Sequence, residues 1–166
     1  MSLPGNLKRK LKARVEAGNH RALKLTSESV DFASNDYLGL ARSQELQESI
    51  RNQLKGLPNG STGSRLLSGN GKFIVETEHF LAEILSSENS LLFDSGYMAN
   101  LAIFSAVPQK GDTVLYDELS HACIKDGIRL SLAHKFSFKH NNLKDLEKKL
   151  KKAQGVAYIA VESIYS

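Results

Sequence analysis

The chain from residue 72 onward alternates between two hydrophobic periods, and this alternation constrains the fold more than any other feature. Apolar residues recur at helical spacing in some segments, and short apolar runs typical of buried strands separate them. The strands recur about every 22 residues, which is typical of βαβ crossovers in a mostly parallel sheet, so the pattern predicts an α/β fold. The predicted helices are residues 72–85, a segment after Tyr97, 120–132 and 143–153, and the predicted strands are 90–93, 112–117, 134–138 and 156–162.

A different kind of region precedes this alternation. The spacing of apolar residues predicts a basic amphipathic helix over about residues 5–17 and a short helix over about 43–55, with the extended stretch VDFASNDYLGLA between them. The loop GLPNGSTGSRLLSGNG at 56–71 is the part of the chain richest in Gly and Ser. We therefore expect an N-terminal helix and extended segment at 1–55, followed by an α/β region at 56–166.

The last predicted strand is not followed by a predicted helix. Parallel sheets are normally covered by helices on both faces, and unpaired strand edges invite aggregation. Either the last strands lie at a tolerated edge, or this chain is part of a larger protein.

Composition excludes several classes of protein. Hydrophobic residues make up 41% of the chain and charged residues 24%, an ordinary balance for a globular domain. No apolar run reaches the roughly 20 residues of a membrane-spanning helix, and the N-terminus lacks the apolar core of a signal peptide. The single cysteine, Cys123, has no cysteine partner for a disulfide or a zinc site. These features predict a cytoplasmic protein without a metal site.

The formal net charge of +4 is concentrated in two basic runs, at residues 1–25 and 144–152. Neither run is interleaved with aromatic residues, and the chain contains no Trp. Nucleic-acid binding surfaces usually combine the two features, so we interpret both runs as solvated helix faces.

The stretch FDSGYMAN at 93–100 lies at a predicted junction between a strand and a helix. In open parallel sheets, ligands bind at the carboxyl ends of strands, next to the N-termini of the following helices. Free N–H groups and the helix dipole attract an anion there, Ser95 offers a hydroxyl, and Gly96 permits close approach of the backbone. A phosphate group is the natural ligand. An ordinary cap and turn explains the same residues, so this stretch alone leaves both interpretations open.

Two further strand ends carry polar residues. Ser120 is a candidate N-cap, and His121 falls in the first turn of its helix, where an imidazole can stack on a flat ring or exchange a proton. Glu162 and Ser166 follow the last predicted strand. The convergence of Ser95, His121 and Glu162 at one rim indicates a binding site. The chain has no P-loop, no dinucleotide-binding motif in the right context and no zinc-protease motif.

Six collinear motifs resemble those of the α-oxoamine synthases, a family of enzymes that use pyridoxal 5'-phosphate. They are DFASNDYLGLA, GSTGSRLLSGN, LLFDSGYMAN, DELSHACIKDG, FKHNN and VESIYS, and they extend over nearly the whole chain from about residue 20. The resemblance implies the aspartate-aminotransferase-like fold, called fold type I. Residues 56–166 would then form the first part of its large, pyridoxal-phosphate-binding domain, which has a mostly parallel sheet with crossover helices.

The resemblance also implies roles for individual residues. The segment Ser95, Gly96 and Tyr97 matches the one that holds the cofactor phosphate. His121 matches the histidine that stacks on the pyridine ring, and we expect His121 and Glu162 to be the catalytic residues. Glu162 and Ser166 match residues that lie near the substituents of the ring. Asn35 matches an asparagine near the carboxylate of the substrate, and Arg21 matches an arginine that meets the acyl substrate.

The motifs GSRLLSGN and DSGYMAN most resemble the branch of the family that condenses L-alanine with a pimeloyl thioester, on coenzyme A or acyl carrier protein, in biotin biosynthesis. Two alternatives remain open: a glycine-using member of the same family, and a non-catalytic chain that pairs with a complete subunit. Members of the family build the active site at the interface of a homodimer, so the resemblance also implies a second copy of the chain as partner.

The sequence also departs from the family pattern. The aspartate that pairs with the ring nitrogen and the lysine that carries the cofactor as a Schiff base belong downstream of VESIYS, so we expect this chain alone to be inactive. Three smaller departures are Cys123 in place of serine, Ile74 in place of histidine and Asn142 in place of aspartate.

Overall fold

The computed structural model describes residues 3–23, 30 and 32–165, and it divides the chain into two compact units. The first unit is Met1–Pro58 and the second is Asn59–Ser166.

The first unit contains two helices, as the sequence predicts. Helix α1 is Gly5–Glu16 and helix α2 is Gln44–Gln53, which follows a 3-10 turn at Leu40–Arg42. Helix α2 begins where it does because the hydroxyl of Ser43 accepts a hydrogen bond from the N–H of Leu46. The segment expected to be extended forms bends and a turn within residues 32–39 instead. Gly39 closes the turn in a left-handed conformation with φ of 70°, and its N–H donates to the carbonyl of Asp36.

The second unit alternates helices and strands. Its three strands are parallel and lie in the order β2-β1-β3, so β1 is central, and Thr113 of β1 pairs with His134 of β2 and Ala157 of β3. The predicted α/β class with a parallel sheet is therefore confirmed. The elements are α3 (Lys72–Ile84), α4 (Gly96–Ala106), β1 (Thr113–Asp117), α5 (Ala122–Leu130), β2 (His134–Phe138), α6 (Leu143–Leu150) and β3 (Ala157–Ala160).

The core of the second unit lies between β1 and α5. Val114 and Leu115 of the central strand are fully buried, as expected for a strand with a neighbour on each side. Helix α5 buries Cys123, Ile124 and Ile128, whose spacing places them on one helix face. These residues form one apolar cluster with Val114 of the central strand.

The strand predicted at residues 90–93 is not formed, and this prediction was wrong. A strand requires a neighbouring backbone, and this segment pairs with no strand among the described residues. The N–H of Leu92 donates instead to Oε1 of Glu78, and the Ser90 hydroxyl donates to the Glu78 carbonyl. An apolar run in the sequence does not specify whether a neighbouring strand is present to pair with it.

Helix α5 is shorter than the predicted segment 120–132, and its cap is a different residue. His121, rather than Ser120, is the N-cap, because Nδ1 of its ring accepts a hydrogen bond from the N–H of Cys123. Ser120 is 2% exposed, and its hydroxyl has no hydrogen-bond partner within the described part of the chain.

Helices α4 and α5 approach each other closely at Gly127. A Cβ atom built at Gly127 would lie 2.9 Å from Cβ of Phe104 and 3.0 Å from the carbonyl oxygens of Asn100 and Leu101. The absent side chain therefore permits the helix contact that brings the start of α4 towards the start of α5. Across the described residues, no helix is both long enough and apolar enough to cross a membrane.

Candidate functional site

The first part of the site is the N-terminus of α4. Ser95 is the N-cap, and its hydroxyl accepts a hydrogen bond from the N–H of Met98 at 3.2 Å. The main-chain N–H groups of Gly96 and Tyr97 have no hydrogen-bond partner among the described residues. A Cβ atom at Gly96 would meet nothing within 4 Å, so the approach to these donors is open. Two free N–H groups at the positive end of a helix suit an anion such as a phosphate.

Tyr97 links this helix end to α5. Its hydroxyl donates a hydrogen bond to Oδ2 of Asp126, and Asp126 also pairs with Arg129. The hydrogen bond to the carboxylate, assisted by burial, raises the pKa of Tyr97, so the phenol stays protonated. The Tyr97 and His121 rings meet edge to face, with centroids 6.2 Å apart.

The second part of the site is His121 at the start of α5. Its main-chain N–H donates to Oε2 of Glu162 at 2.7 Å, across 41 residues of sequence. The N–H of Glu162 in turn donates to the hydroxyl oxygen of Tyr165. The Glu162 carboxylate therefore anchors the backbone on which the His121 ring is mounted.

The structure brings together three of the residues predicted from the sequence, namely Tyr97, His121 and Glu162. Ser95 is positioned by a hydrogen bond to its own helix. Arg21 and Asn35 belong to the first unit, where both are exposed and the Asn35 carbonyl accepts from the N–H of Tyr37. Their roles towards substrate stay predictions. The prediction for Ser166 lies outside the described residues.

Sequence reasoning assigned no role to Asp117 and His140, which form a second polar cluster at the end of β1. Asp117 is 1% exposed, and its carboxylate accepts from Nδ1 of His140 and from the N–H groups of Leu119 and Asn141. Burial opposes the charge, but these hydrogen bonds outweigh it and hold the pKa of Asp117 below its ordinary value. The signal in the sequence was the motif FKHNN, which contains two of the donors.

The Gly/Ser-rich loop is anchored by Arg65. Its guanidinium donates to both oxygens of Glu78 on α3, at 2.5 and 2.7 Å, and also to Oδ1 of Asn70. Because Glu78 also accepts the N–H of Leu92, one carboxylate joins the loop, α3 and the segment that leads into α4. The bidentate geometry makes this a specific connection rather than a loose surface pair.

The Glu78 connection makes stability depend on pH in a defined window. The hydrogen bonds from Arg65 and then Leu92 lower the pKa of Glu78 from 4.5 to about 2. Because the pKa of Glu78 is lower in the folded protein than in the unfolded chain, its charge stabilises the fold. This stabilisation is fully present above pH 4.5 and is lost as the pH falls through about 2. We expect Glu78→Gln to lower the urea midpoint at neutral pH, and the gap from wild type to narrow progressively towards pH 2.

The matched control for this prediction is Glu83→Gln, an exposed carboxylate on the same helix. Its urea midpoint should follow wild type at every pH. A gap between Glu78→Gln and wild type that stays constant from neutral pH to about pH 2 would show that the Glu78 charge does not stabilise the fold.

Comparison with known proteins identifies a family over most of the chain. Residues 27–166 match the family described as "Aminotransferase class I and II". A curated 8-amino-7-oxononanoate synthase of Methylobacterium nodulans is 40% identical over 163 residues, covering 96% of this chain and 43% of that protein. Another of that name, from Emericella nidulans, is 40% identical over 157 residues, covering 86% and 38% of the two chains.

Several solved structures also resemble this chain. Sphingomonas wittichii serine palmitoyltransferase is 27% identical, with a TM-score of 0.79 over 98% of this chain and 45% of that one. The 8-amino-7-oxononanoate synthase of Francisella tularensis is 31% identical, with a TM-score of 0.68 over 83% of this chain and 38% of the other. A structure described as SPT with its PLP internal aldimine has 26% identity and a TM-score of 0.73, covering 89% and 41% of the two chains.

All of these matches cover only part of the relative. The chain spans from 36% to 48% of the length of eight curated relatives. The matched part contains the N-terminus of α4, His121 and Glu162, whereas the remainder of each relative has no counterpart in these 166 residues.

Proposed function

The chain belongs to the aminotransferase class I and II family, and on that premise we propose that it is the N-terminal portion of an 8-amino-7-oxononanoate synthase. The complete enzyme condenses L-alanine with a pimeloyl thioester, carried on coenzyme A or acyl carrier protein, and releases carbon dioxide. The observation that carries the proposal is the open N-terminus of α4, with two free N–H groups, a capping serine and His121 beside it.

The residues present fit pyridoxal 5'-phosphate. The phosphate requires hydrogen-bond donors and positive potential, which the N–H groups of Gly96 and Tyr97 supply at the end of α4. The flat pyridine ring requires a planar partner, and the exposed ring of His121 provides one. When bound, the cofactor supplies an electron sink for the carbanion of the amino acid.

The chain's own residues position this chemistry. Asp126 holds the hydroxyl of Tyr97, and Tyr97 contacts the edge of the His121 ring, so the phosphate site and the ring site are fixed relative to each other. The carboxylate of Glu162 holds the main chain of His121. Such preorganisation matters because a small displacement of a catalytic group costs much of its effect.

The remaining parts of the site belong to the complete protein. We propose that the lysine that carries the cofactor and the aspartate that pairs with its ring nitrogen lie in sequence beyond VESIYS. We also propose that the enzyme is a cytoplasmic homodimer, in which Arg21 and Asn35 contact the substrates and Ser166 lies near the cofactor ring. The length comparison supports the placing of the lysine and the aspartate in further sequence, because the chain spans less than half the length of these curated relatives.

The intact mass of the protein from its native source tests this partition. A mass near twice 18.3 kDa agrees with a complete synthase that contains these residues. A native chain of 18.3 kDa would contradict it and favour the non-catalytic chain that pairs with a complete subunit.

The substrate assignment is tested by incubating the complete protein with pyridoxal phosphate, pimeloyl-coenzyme A and one amino acid at a time. We expect release of carbon dioxide and coenzyme A with L-alanine, and a kcat/KM at least about tenfold higher than with glycine, since one methyl group in a fitted pocket contributes that much discrimination. Acyl carrier protein loaded with pimelate identifies the carrier in a parallel assay.

Each alternative has its own outcome in this assay. Preference for glycine would contradict the biotin assignment and identify a glycine-using member of the family. Preference for serine would contradict it too and identify a palmitoyltransferase-like enzyme. Residues 1–166 alone are expected to give no product, and turnover by them alone would contradict the need for the missing lysine.

A further inference from the structure

The surroundings of the His121 ring determine which of its nitrogens carries hydrogen. Nδ1 lies 3.2 Å from the main-chain N of Cys123 and 2.9 Å from the Sγ atom of the same residue. A main-chain N–H can only donate, so Nδ1 must present its lone pair to it. The hydrogen of the neutral imidazole is then on Nε2.

The same lone pair sets the direction of the thiol hydrogen bond. Because Nδ1 is an acceptor, the S–H group of Cys123 donates to it and shares its one lone pair with the main-chain N–H of the same residue. The sulfur atom accepts in turn from Nδ2 of Asn100 at 3.3 Å, and an amide NH₂ can only donate. Cys123 is 3% exposed, so these bonds form away from bulk water, where they are stronger.

We propose that Asn100 and Cys123 are positioning residues that hold neutral His121 in the Nε2–H tautomer. Nε2 has no hydrogen-bond partner among the described residues, and the ring is exposed, so His121 meets a bound group as a donor. The tautomer itself does not depend on the reaction. That the bound group is the cofactor or substrate of a synthase rests on the proposed function.

The packing of the helices explains how Asn100, 23 residues before Cys123 in the sequence, joins this chain of hydrogen bonds. Asn100 lies on α4 and Cys123 on α5, and the two helices approach closely because Gly127 has no side chain. The backbone of His121 is fixed independently by Glu162. Glu162 therefore holds the main chain of His121, and Cys123 holds Nδ1 of its ring.

The direct test is nitrogen NMR of the complete protein labelled with ¹⁵N-histidine, at a pH where the ring is neutral. The spectrum of His121→Asn identifies the His121 signals by their loss. We expect a protonated Nε2 and an unprotonated Nδ1. A neutral ring with its proton on Nδ1 would overturn the proposal. This readout requires no turnover, so it stays valid if the proposed reaction fails.

Variants test the two positioning residues. Cys123→Ala removes the S–H donor and should shift the tautomer ratio towards Nδ1–H roughly fivefold, the effect of one net hydrogen bond. Cys123→Ser supplies a hydroxyl with the same donor and acceptor capacity and should restore the wild-type ratio. An unchanged ratio in Cys123→Ala would overturn the role of the thiol.

Asn100→Asp tests the direction of the chain. A carboxylate accepts the S–H hydrogen, which frees the sulfur to accept from Nδ1–H, so this variant should also move the ratio towards Nδ1–H. The matched control is Asn142→Asp, the same chemical change at the N-cap of α6, which should leave the His121 signals unchanged. A wild-type ratio in Asn100→Asp would overturn the role of Asn100.

Discussion

His121→Asn is expected to lower the kcat/KM of the complete synthase about a hundredfold, the scale of a lost catalytic imidazole. Asparagine removes the ring that we place against the pyridine of the cofactor. It keeps the other function of this position, because an asparagine side chain at the N-cap of α5 accepts from the N–H of Cys123 as the imidazole does. The unfolding free energy should therefore change by no more than about 0.5 kcal/mol.

The combination of the two results is what identifies a site residue. Steady-state kinetics with L-alanine and pimeloyl-coenzyme A measure the first, and urea unfolding measures the second. Activity within about threefold of wild type would contradict the role of the ring. A large loss of stability together with activity would mean that His121 serves the fold and that the capping account is wrong.

Gly127→Ala is expected to destabilise the protein by about 1–3 kcal/mol, the range for overpacking a close contact. At an open helix position the same change would stabilise by about 1 kcal/mol, because alanine is the better helix former. Here the added methyl group meets Phe104 Cβ at 2.9 Å and the carbonyl oxygens of Asn100 and Leu101 at 3.0 Å. Backbone atoms cannot rotate away, so the two helices must separate.

Separation of α4 from α5 also has a consequence for the site. It should lengthen the contacts of Asn100 with Cys123 and of Tyr97 with Asp126, so the affinity for pyridoxal phosphate should fall along with the melting temperature. Gly60→Ala is the matched control, since a Cβ atom there meets nothing within 4 Å. A Gly127→Ala variant as stable as Gly60→Ala would show that the helices tolerate the methyl group.

Much of the second unit could be predicted from hydrophobic periodicity. The segments of β1, β2 and β3 and of the helices between them were found close to their observed places, because their apolar residues recur with the periods of strands and helices. Residues 90–93 have the same apolar character, but a strand depends on a partner that local pattern does not encode. No described strand pairs with residues 90–93, and the N–H of Leu92 donates to Oε1 of Glu78 instead.

The site was predictable in part for a related reason. His121 and Glu162 follow strands whose carboxyl ends lie at one edge of a parallel sheet, so topology alone predicts their approach. The contacts that orient the imidazole, through Asn100 and Cys123, depend on how α4 packs against α5. Those residues are 23 positions apart, and no spacing rule connects them.

The measurement that tests the central claim most directly is a crystal structure of the complete protein with pyridoxal phosphate. We predict phosphate oxygens at hydrogen-bonding distance, about 2.7–3.2 Å, from the main-chain nitrogens of Gly96 and Tyr97, with the pyridine ring against His121. A phosphate bound elsewhere, with the N-terminus of α4 facing water, would contradict it.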